Sequence, residues 1–126
     1  MTRHKNVLGV LPGTDKDNHQ LIIIEGHFDS RCAGRCNIDC VAQGIEDNAS
    51  GTALVIELAR VMSKYTYKNT FVFMATTGEE QGLNGAEAFA NYAVNKNISI
   101  EGVFNNDVIG GIICGKTSSE PSFSRT

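Results

Sequence analysis

The feature that most constrains the fold is "NTFVFMATT" (69–77), a short apolar run with a helical pattern on either side of it. A run of this length, rich in β-branched and aromatic residues, reads as a parallel strand buried on both faces, and such strands are covered by helices. Upstream, Leu54, Leu58, Val61 and Met62 recur at helical spacing, which predicts a helix from about 51 to 65 with Asn48 or Ser50 as its N-cap. Downstream, "GLNGAEAFANYAVNKN" (82–97) reads as a second helix opened by glycines, and "EGVFNND" (101–107) as a further parallel strand. Before all of these, "NVLGVL" (6–11) and "LIIIEGHF" (21–28) are strand-like runs separated by the turn-rich "PGTDKDNHQ". The order strand, strand, helix, strand, helix, strand predicts an α/β fold. Its layered mixed β-sheet would have an antiparallel entry hairpin and parallel core strands flanked by helices.

Composition narrows the partners. The 126 residues carry a net charge of -3 with no Lys/Arg block, so the basic footprint that nucleic acid or an anionic membrane requires is missing. No apolar run is long enough to cross a bilayer, and residues 1–20 lack the apolar centre of a signal peptide. A small molecule or peptide is the expected partner, with no nucleic acid and no membrane. The stretch "GKTSSEPSFSRT" is polar and without periodicity. Because a domain does not usually stop one short strand after a βα unit, the chain is expected to be truncated at its C-terminus.

In open α/β sheets the working residues gather at the carboxyl ends of the strands. His27 closes one strand, Asp47 lies just before a helix, Glu79 and Glu80 follow "MATTG", and Asp107 closes the last strand. Taken singly, each has an ordinary reading: a histidine at the core edge, a turn aspartate, a pair of charges favouring a helix N-terminus. Brought to one edge of a sheet they could not remain ionised and unpaired, because like charges repel and each loses its hydration. A cation is required. One imidazole with several carboxylates suits Zn²⁺, with Mn²⁺ or Co²⁺ as alternatives. Asp29 lies two residues beyond His27, on the same strand face, where its carboxylate could accept the second imidazole proton. On an extended segment Glu79 and Glu80 would point apart, one to ligate and the other to act as a general base.

Between His27 and Asp47 lie Cys32, Cys36 and Cys40, four residues apart, with Cys114 far downstream. A four-thiolate zinc site is one reading, but the spacing lacks the paired knuckles of structural zinc sites. A disulfide within the loop, or from the loop to Cys114, is the leading reading, with free thiols next.

The stretches "GHFDS", "GIEDNASG", "ATTGEEQGLNGAEAFA" and "FNNDVIGG", in this order, resemble the dizinc aminopeptidases of the MH clan, the twenty-eighth metallopeptidase family. The resemblance runs from about residue 6 to 111, and it implies that residues 1–126 are part of a zinc peptidase catalytic domain with a polar tail at 112–126. It implies that His27, Asp47 and Asp107 hold one zinc. Asp47, as the bridging ligand, and Glu80 would hold a second, together with a last histidine that matches no position in this sequence. It also implies that Glu79 is the general base, that Asp29 orients His27, and that the Asp47–Asn48 peptide is a candidate for the cis form. The activity so implied is zinc-dependent removal of N-terminal residues from peptides through a water activated at the metals. This piece alone is expected to be weak or inactive. The alternatives are a glutaminyl cyclase-like single-zinc acyltransferase and a receptor-like module that has lost catalysis. The compartment stays open, with export to the periplasm or outside the cell favoured by the cysteines and the family's habit.

Overall fold

The computed structural model describes residues 5–17, 20–34 and 36–110. The elements are β1 (Val7–Leu11), β2 (Leu21–His27), α1 (Gly51–Met62), β3 (Thr70–Thr76), α2 (Asn84–Asn95) and β4 (Ile100–Asn105). The four strands form one mixed sheet in the order β1-β3-β2-β4. β2 runs parallel to both β3 and β4, and β1 runs antiparallel to β3. The α/β class, with parallel core strands, an antiparallel entry strand and flanking helices, is therefore the observed one.

One detail differs. β1 does not form a hairpin with β2; it pairs with β3, Val7 opposite Ala75 and Leu11 opposite Phe71. Directly paired strands are usually joined by loops of about two to five residues, and the connection here is longer. It is laid against the segment leading into β3, where the Thr14 N–H donates to the Tyr67 carbonyl at 2.8 Å and the Gly13 N–H to Thr70 Oγ1 at 3.0 Å. A Cβ at Gly13 would overlap the Lys68–Thr70 backbone, so only glycine lets the chain pass this close. The chain thus rounds the start of β3 and enters β2 on its far side.

Alternation along the central strands divides the core between two faces. Ile24 and Phe73 point to one face and pack with Val55, Leu58 and Met62 of α1. Ile23, Val72 and Met74 point to the other and pack with Phe89 of α2. Each such fully buried aliphatic side chain contributes about 1.5–3 kcal/mol relative to exposure. The outermost strands are less covered, with Val10 on β1 and Phe104 on β4 both 62% exposed.

The topology also places the site. From β2 the chain crosses through α1 to β3 on one side, then returns through α2 to β4 on the other side of β2. Two crossovers leaving in opposite directions open a crevice at the carboxyl end of the shared strand, the usual ligand position in open α/β sheets. The residue at that end is His27.

Candidate metal centre

The His27 side chain is buried, with 2% of its surface exposed. Its Nδ1 lies 3.0 Å from the main-chain carbonyl of Asp29. A carbonyl only accepts, so Nδ1 carries the proton and Nε2 presents its lone pair. This corrects the role expected for the Asp29 carboxylate, whose Oδ1 is 3.8 Å from Nδ1. The orienting partner is the backbone of Asp29.

Around His27 Nε2 stand Asp47 Oδ1 at 3.1 Å, Asp107 Oδ1 at 3.3 Å and Glu79 Oε2 at 3.9 Å. Despite these distances, both His27 Nε2 and Asp107 Oδ1 are buried without a hydrogen-bond partner among the described residues. Leaving such groups unpaired is costly, and buried polar atoms are otherwise satisfied almost everywhere. One ligand atom from each of His27, Asp47 and Asp107 lies within 4.8 Å of the others. Atoms that approach one another and yet do not bond are aimed at a common point, as donors around an ion are. One imidazole nitrogen and two carboxylate oxygens form a donor set that fits zinc.

The electrostatics agree. Burial pulls the His27 imidazole toward the neutral form, but the charges of Asp107, Glu79 and Asp29 and the bond to the Asp29 carbonyl outweigh it, raising the pKa above its ordinary value. The carboxylates around this point favour positive charge there. Glu79 is also raised, first by burial and then by the neighbouring carboxylates Glu80, Asp107 and Asp29, with His27 opposing.

Asp47 reaches the site from Ile45–Ser50, a wide helical turn broken at Asp47 and Asn48, whose backbone angles are not helical. The Asp47–Asn48 peptide is cis, as the family resemblance implied. Asn48 is almost completely buried, at 1% exposure, and ties three segments together. Its Oδ1 accepts from the Gly51 N–H at 2.9 Å, capping α1, and from the Val108 N–H at 3.2 Å. Its Nδ2 donates to the Asn106 carbonyl at 2.9 Å. Of the two candidate caps, Ser50 holds the N-cap position but its hydroxyl donates to the Glu46 carbonyl at 2.7 Å, and Asn48 supplies the side-chain bond to the helix start. Thr52, in the first turn of α1, donates its hydroxyl to the His27 carbonyl at 2.7 Å. β4 ends at Asn105, so Asp107 lies in the loop beyond it and is held there by these bonds.

Glu79 and Glu80 occupy a turn, not the extended segment expected, because Gly78 and Gly82 both adopt positive φ and the N–H groups of Gly82 and Leu83 fold back onto the Glu79 carbonyl. The two side chains diverge nonetheless. The Asp29 carboxylate fixes this turn, accepting from the N–H groups of Glu79 and Glu80 at 3.2 Å each. Glu79 faces His27. Glu80 lies outside the three-residue cluster, and its carboxylate is ion-paired with the Nε of Arg31. Arg31, Asp47 and Glu80 line an open cleft of about 440 Å³ together with Gln43 and Glu46.

Among the described residues the cysteines do not form a metal site with one another. Cys32 and Cys40 are joined in a disulfide and offer no thiolate, and Cys36 is exposed with a free thiol. Any pairing with Cys114 lies outside the described residues. The disulfide loop carries Arg31 at its start, and its base is closed by the Ser30 hydroxyl donating to the Ala42 carbonyl at 2.9 Å. Two residues in this centre were missed as site residues: Arg31, and Asn48 beyond its capping role. For Arg31 the available signal was a cation two residues past Asp29 in an otherwise acidic set of motifs.

Comparison with known proteins bears on this arrangement. The pattern of peptidase family M28 matches residues 6–115. A protein of Pyricularia oryzae described as a probable zinc metalloprotease is 40% identical over 116 residues, covering 92% of this chain and 23% of its own length. One from Pyrenophora teres f. teres, described in the same words, is 37% identical, with 92% and 24% covered. Among solved structures, the aminopeptidase from Aneurinibacillus sp. strain AM-1 superimposes with a TM-score of 0.67 at 33% identity, covering 83% of this chain and 24% of that one. The Legionella pneumophila LapA aminopeptidase does so with a TM-score of 0.69 at 26% identity, covering 82% and 26%. The chain thus spans about a quarter of the length of these relatives. With a family pattern over nearly its whole length and a cluster of ligand atoms gathered around the buried His27 at the sheet's switch point, the chain belongs to peptidase family M28.

Proposed function

We propose that the protein to which these residues belong is a zinc-dependent aminopeptidase that hydrolyses the first peptide bond of its substrate. The observation that carries this reading is the pair of buried, partnerless atoms, His27 Nε2 and Asp107 Oδ1, facing Asp47. In this reading His27, Asp47 and Asp107 hold one zinc, and Asp47 and Glu80 contribute to a second. Bound there, zinc supplies Lewis acidity: it lowers the pKa of water and stabilises the negative charge that develops on the scissile carbonyl.

The chain's own residues do the rest. The Glu79 carboxylate, adjacent to the triad and with its pKa raised by burial and like charge, takes a proton from the attacking water and delivers it to the leaving amine. A carboxylate shifted toward neutrality is better matched to both halves of that task. Asp29 is a positioning residue, holding the Glu79 and Glu80 backbone with its carboxylate and the His27 ring with its carbonyl. The cleft beside Arg31, Glu46 and Asp47 is the channel for the peptide. Its acidic lining suits the cationic N-terminal amine of a peptide. A Cys32–Cys40 disulfide suits an oxidising compartment, periplasmic or extracellular.

The test uses the full-length protein and its Glu79→Gln variant. The variant should keep its zinc and lose about two to four orders of magnitude in hydrolysis of unblocked peptides. N-acetylated peptides should resist the wild type, and a peptide beginning with glutamine should yield a free amino acid. Unchanged turnover in the variant would refute the role of Glu79. Release of ammonia in place of an amino acid would move the reading to the cyclase.

A further inference from the structure

Among the described residues the two halves of the acidic site are in different electrostatic states. His27 Nε2 and Asp107 Oδ1 have no hydrogen-bond partner, whereas Glu80 is paired with the permanent cation of Arg31. The Glu80 side chain is 8% exposed, and an ionised carboxylate so buried needs a counter-charge. Arg31 provides it through Nε, while its Nη1 donates to the carbonyl of Ala33 at 3.1 Å and, at 3.4 Å, to that of Cys32.

We propose that Arg31 is an internal counter-ion that competes with the second metal ion for Glu80, so that zinc loads in order: first at His27, Asp47 and Asp107, then at Glu80 only as Arg31 is displaced. This deepens, and rests on, the metal-centre reading above. Three observations support the competition. Glu80 itself is held in place, because its N–H is bound to the Asp29 carboxylate. Arg31 is the adjustable partner: its side chain is 39% exposed and lines the open cleft, so the guanidinium has room to leave. It would leave without being stranded, since the loop carbonyls and water remain as acceptors for its five donors. Two cations that exclude each other from one carboxylate weaken each other's binding reciprocally, and such couplings amount to about 5- to 150-fold.

The experiment is a zinc titration of the metal-free full-length protein by calorimetry with chelator competition, on the wild type and on Arg31→Gln, Arg31→Lys and Asp107→Asn. The wild type should bind one ion tightly and a second more weakly. Arg31→Gln should tighten the second event about tenfold or more and leave the first unchanged. Arg31→Lys, which keeps the charge, should stay near the wild type. In the wild type itself, the Arg31 side-chain Nε–H resonance should move with the second equivalent of zinc and not with the first, a readout that does not depend on any variant folding. The inference is overturned if Arg31→Gln leaves the second event unchanged or weaker, if both proteins bind a single ion equally, or if the Arg31 resonance moves with the first equivalent or never. Failure of the underlying reading looks different: zinc does not bind, or binds with its first event unaffected by Asp107→Asn.

Discussion

Asn48 is hydrogen-bonded to Asn106 directly behind the centre, its Nδ2 donating to the Asn106 carbonyl at 2.9 Å. One residue is the immediate neighbour of Asp47 and the other of Asp107. A single buried amide, bonded to a carbonyl 58 residues away in the chain, therefore ties together the two segments that carry these carboxylates. Its carbonyl end binds the Gly51 and Val108 N–H groups, so the start of α1 and the loop after β4 share the same anchor. The precision of the site comes from this framework behind the ligands as much as from the ligands themselves.

Asn48→Ala would leave the Asn106 carbonyl and the Val108 N–H without their partner, while the Gly51 N–H keeps only the main-chain carbonyl of residue 48. Each buried orphan costs about 1–3 kcal/mol, and some regain water, so a destabilisation of about 2–4 kcal/mol is expected. Urea unfolding of the metal-free protein measures it. A loss below about 0.5 kcal/mol, the range of an ordinary surface substitution, would contradict the anchoring role.

Glycine is required where these segments touch. A Cβ at Gly51 would overlap the Asn106 carbonyl and the Asn48 side chain, whereas one at Gly9 on β1 would meet nothing within 4 Å. Gly51→Ala should therefore destabilise by about 1–3 kcal/mol through overpacking, and Gly9→Ala should stay within about 0.5 kcal/mol of the wild type. Equal effects of the two substitutions would show that the close approach at Gly51 is not needed.

The parts of this structure legible in the sequence were those written in local pattern. The helix around Leu54 and Leu58, the buried strand through Phe71–Met74 and the strand ending at His27 are periodicities that any buried face imposes. The neighbours of β1 were not legible, since a strand's own residues do not say which edge it joins; only the length of the connection hinted that it passes another strand. The convergence of His27, Asp47 and Asp107 followed from their positions at strand and helix ends. What could not be read was the polar wiring. Whether the Nδ1 proton goes to the Asp29 carboxylate or to its carbonyl depends on about an ångström of backbone placement, and the Arg31–Glu80 pair joins residues 49 apart in sequence.

The pH dependence of the metal-free protein follows from His27. Its folded-state pKa is raised above the ordinary 6.5, because the surrounding carboxylates outweigh the burial that opposes the charge. Its contribution to stability is therefore fully present below 6.5 and is lost as pH rises through the raised folded value. Unfolding midpoints measured with a chelator across this range should fall with rising pH, and His27→Gln should flatten the trend. Saturating zinc should reverse its sign, because a metal competes with the proton at Nε2. A chelated wild type whose profile matches that of His27→Gln would contradict the account.

Thiol titration separates the cysteine readings. Reduction should add two titratable groups, those of Cys32 and Cys40, to whatever the native protein shows, while removal of zinc without reduction should add none. The bridge closes a short loop, for which chain entropy gives about 2–3 kcal/mol, so Cys32→Ala with Cys40→Ala should lower stability by at most that amount. New thiols appearing on chelation alone would point to thiolate ligands.

The central claim is that His27, Asp47 and Asp107 form a zinc-binding centre. The most direct measurement is an anomalous difference map, recorded on both sides of the zinc absorption edge from crystals of the protein grown with zinc. The account predicts a peak bounded by His27 Nε2 and the Asp47 and Asp107 carboxylates, at about 2.0–2.2 Å from the ligating atoms, and its loss in Asp107→Asn. A map with zinc only at surface sites, or a peak that persists unchanged in Asp107→Asn, would contradict it.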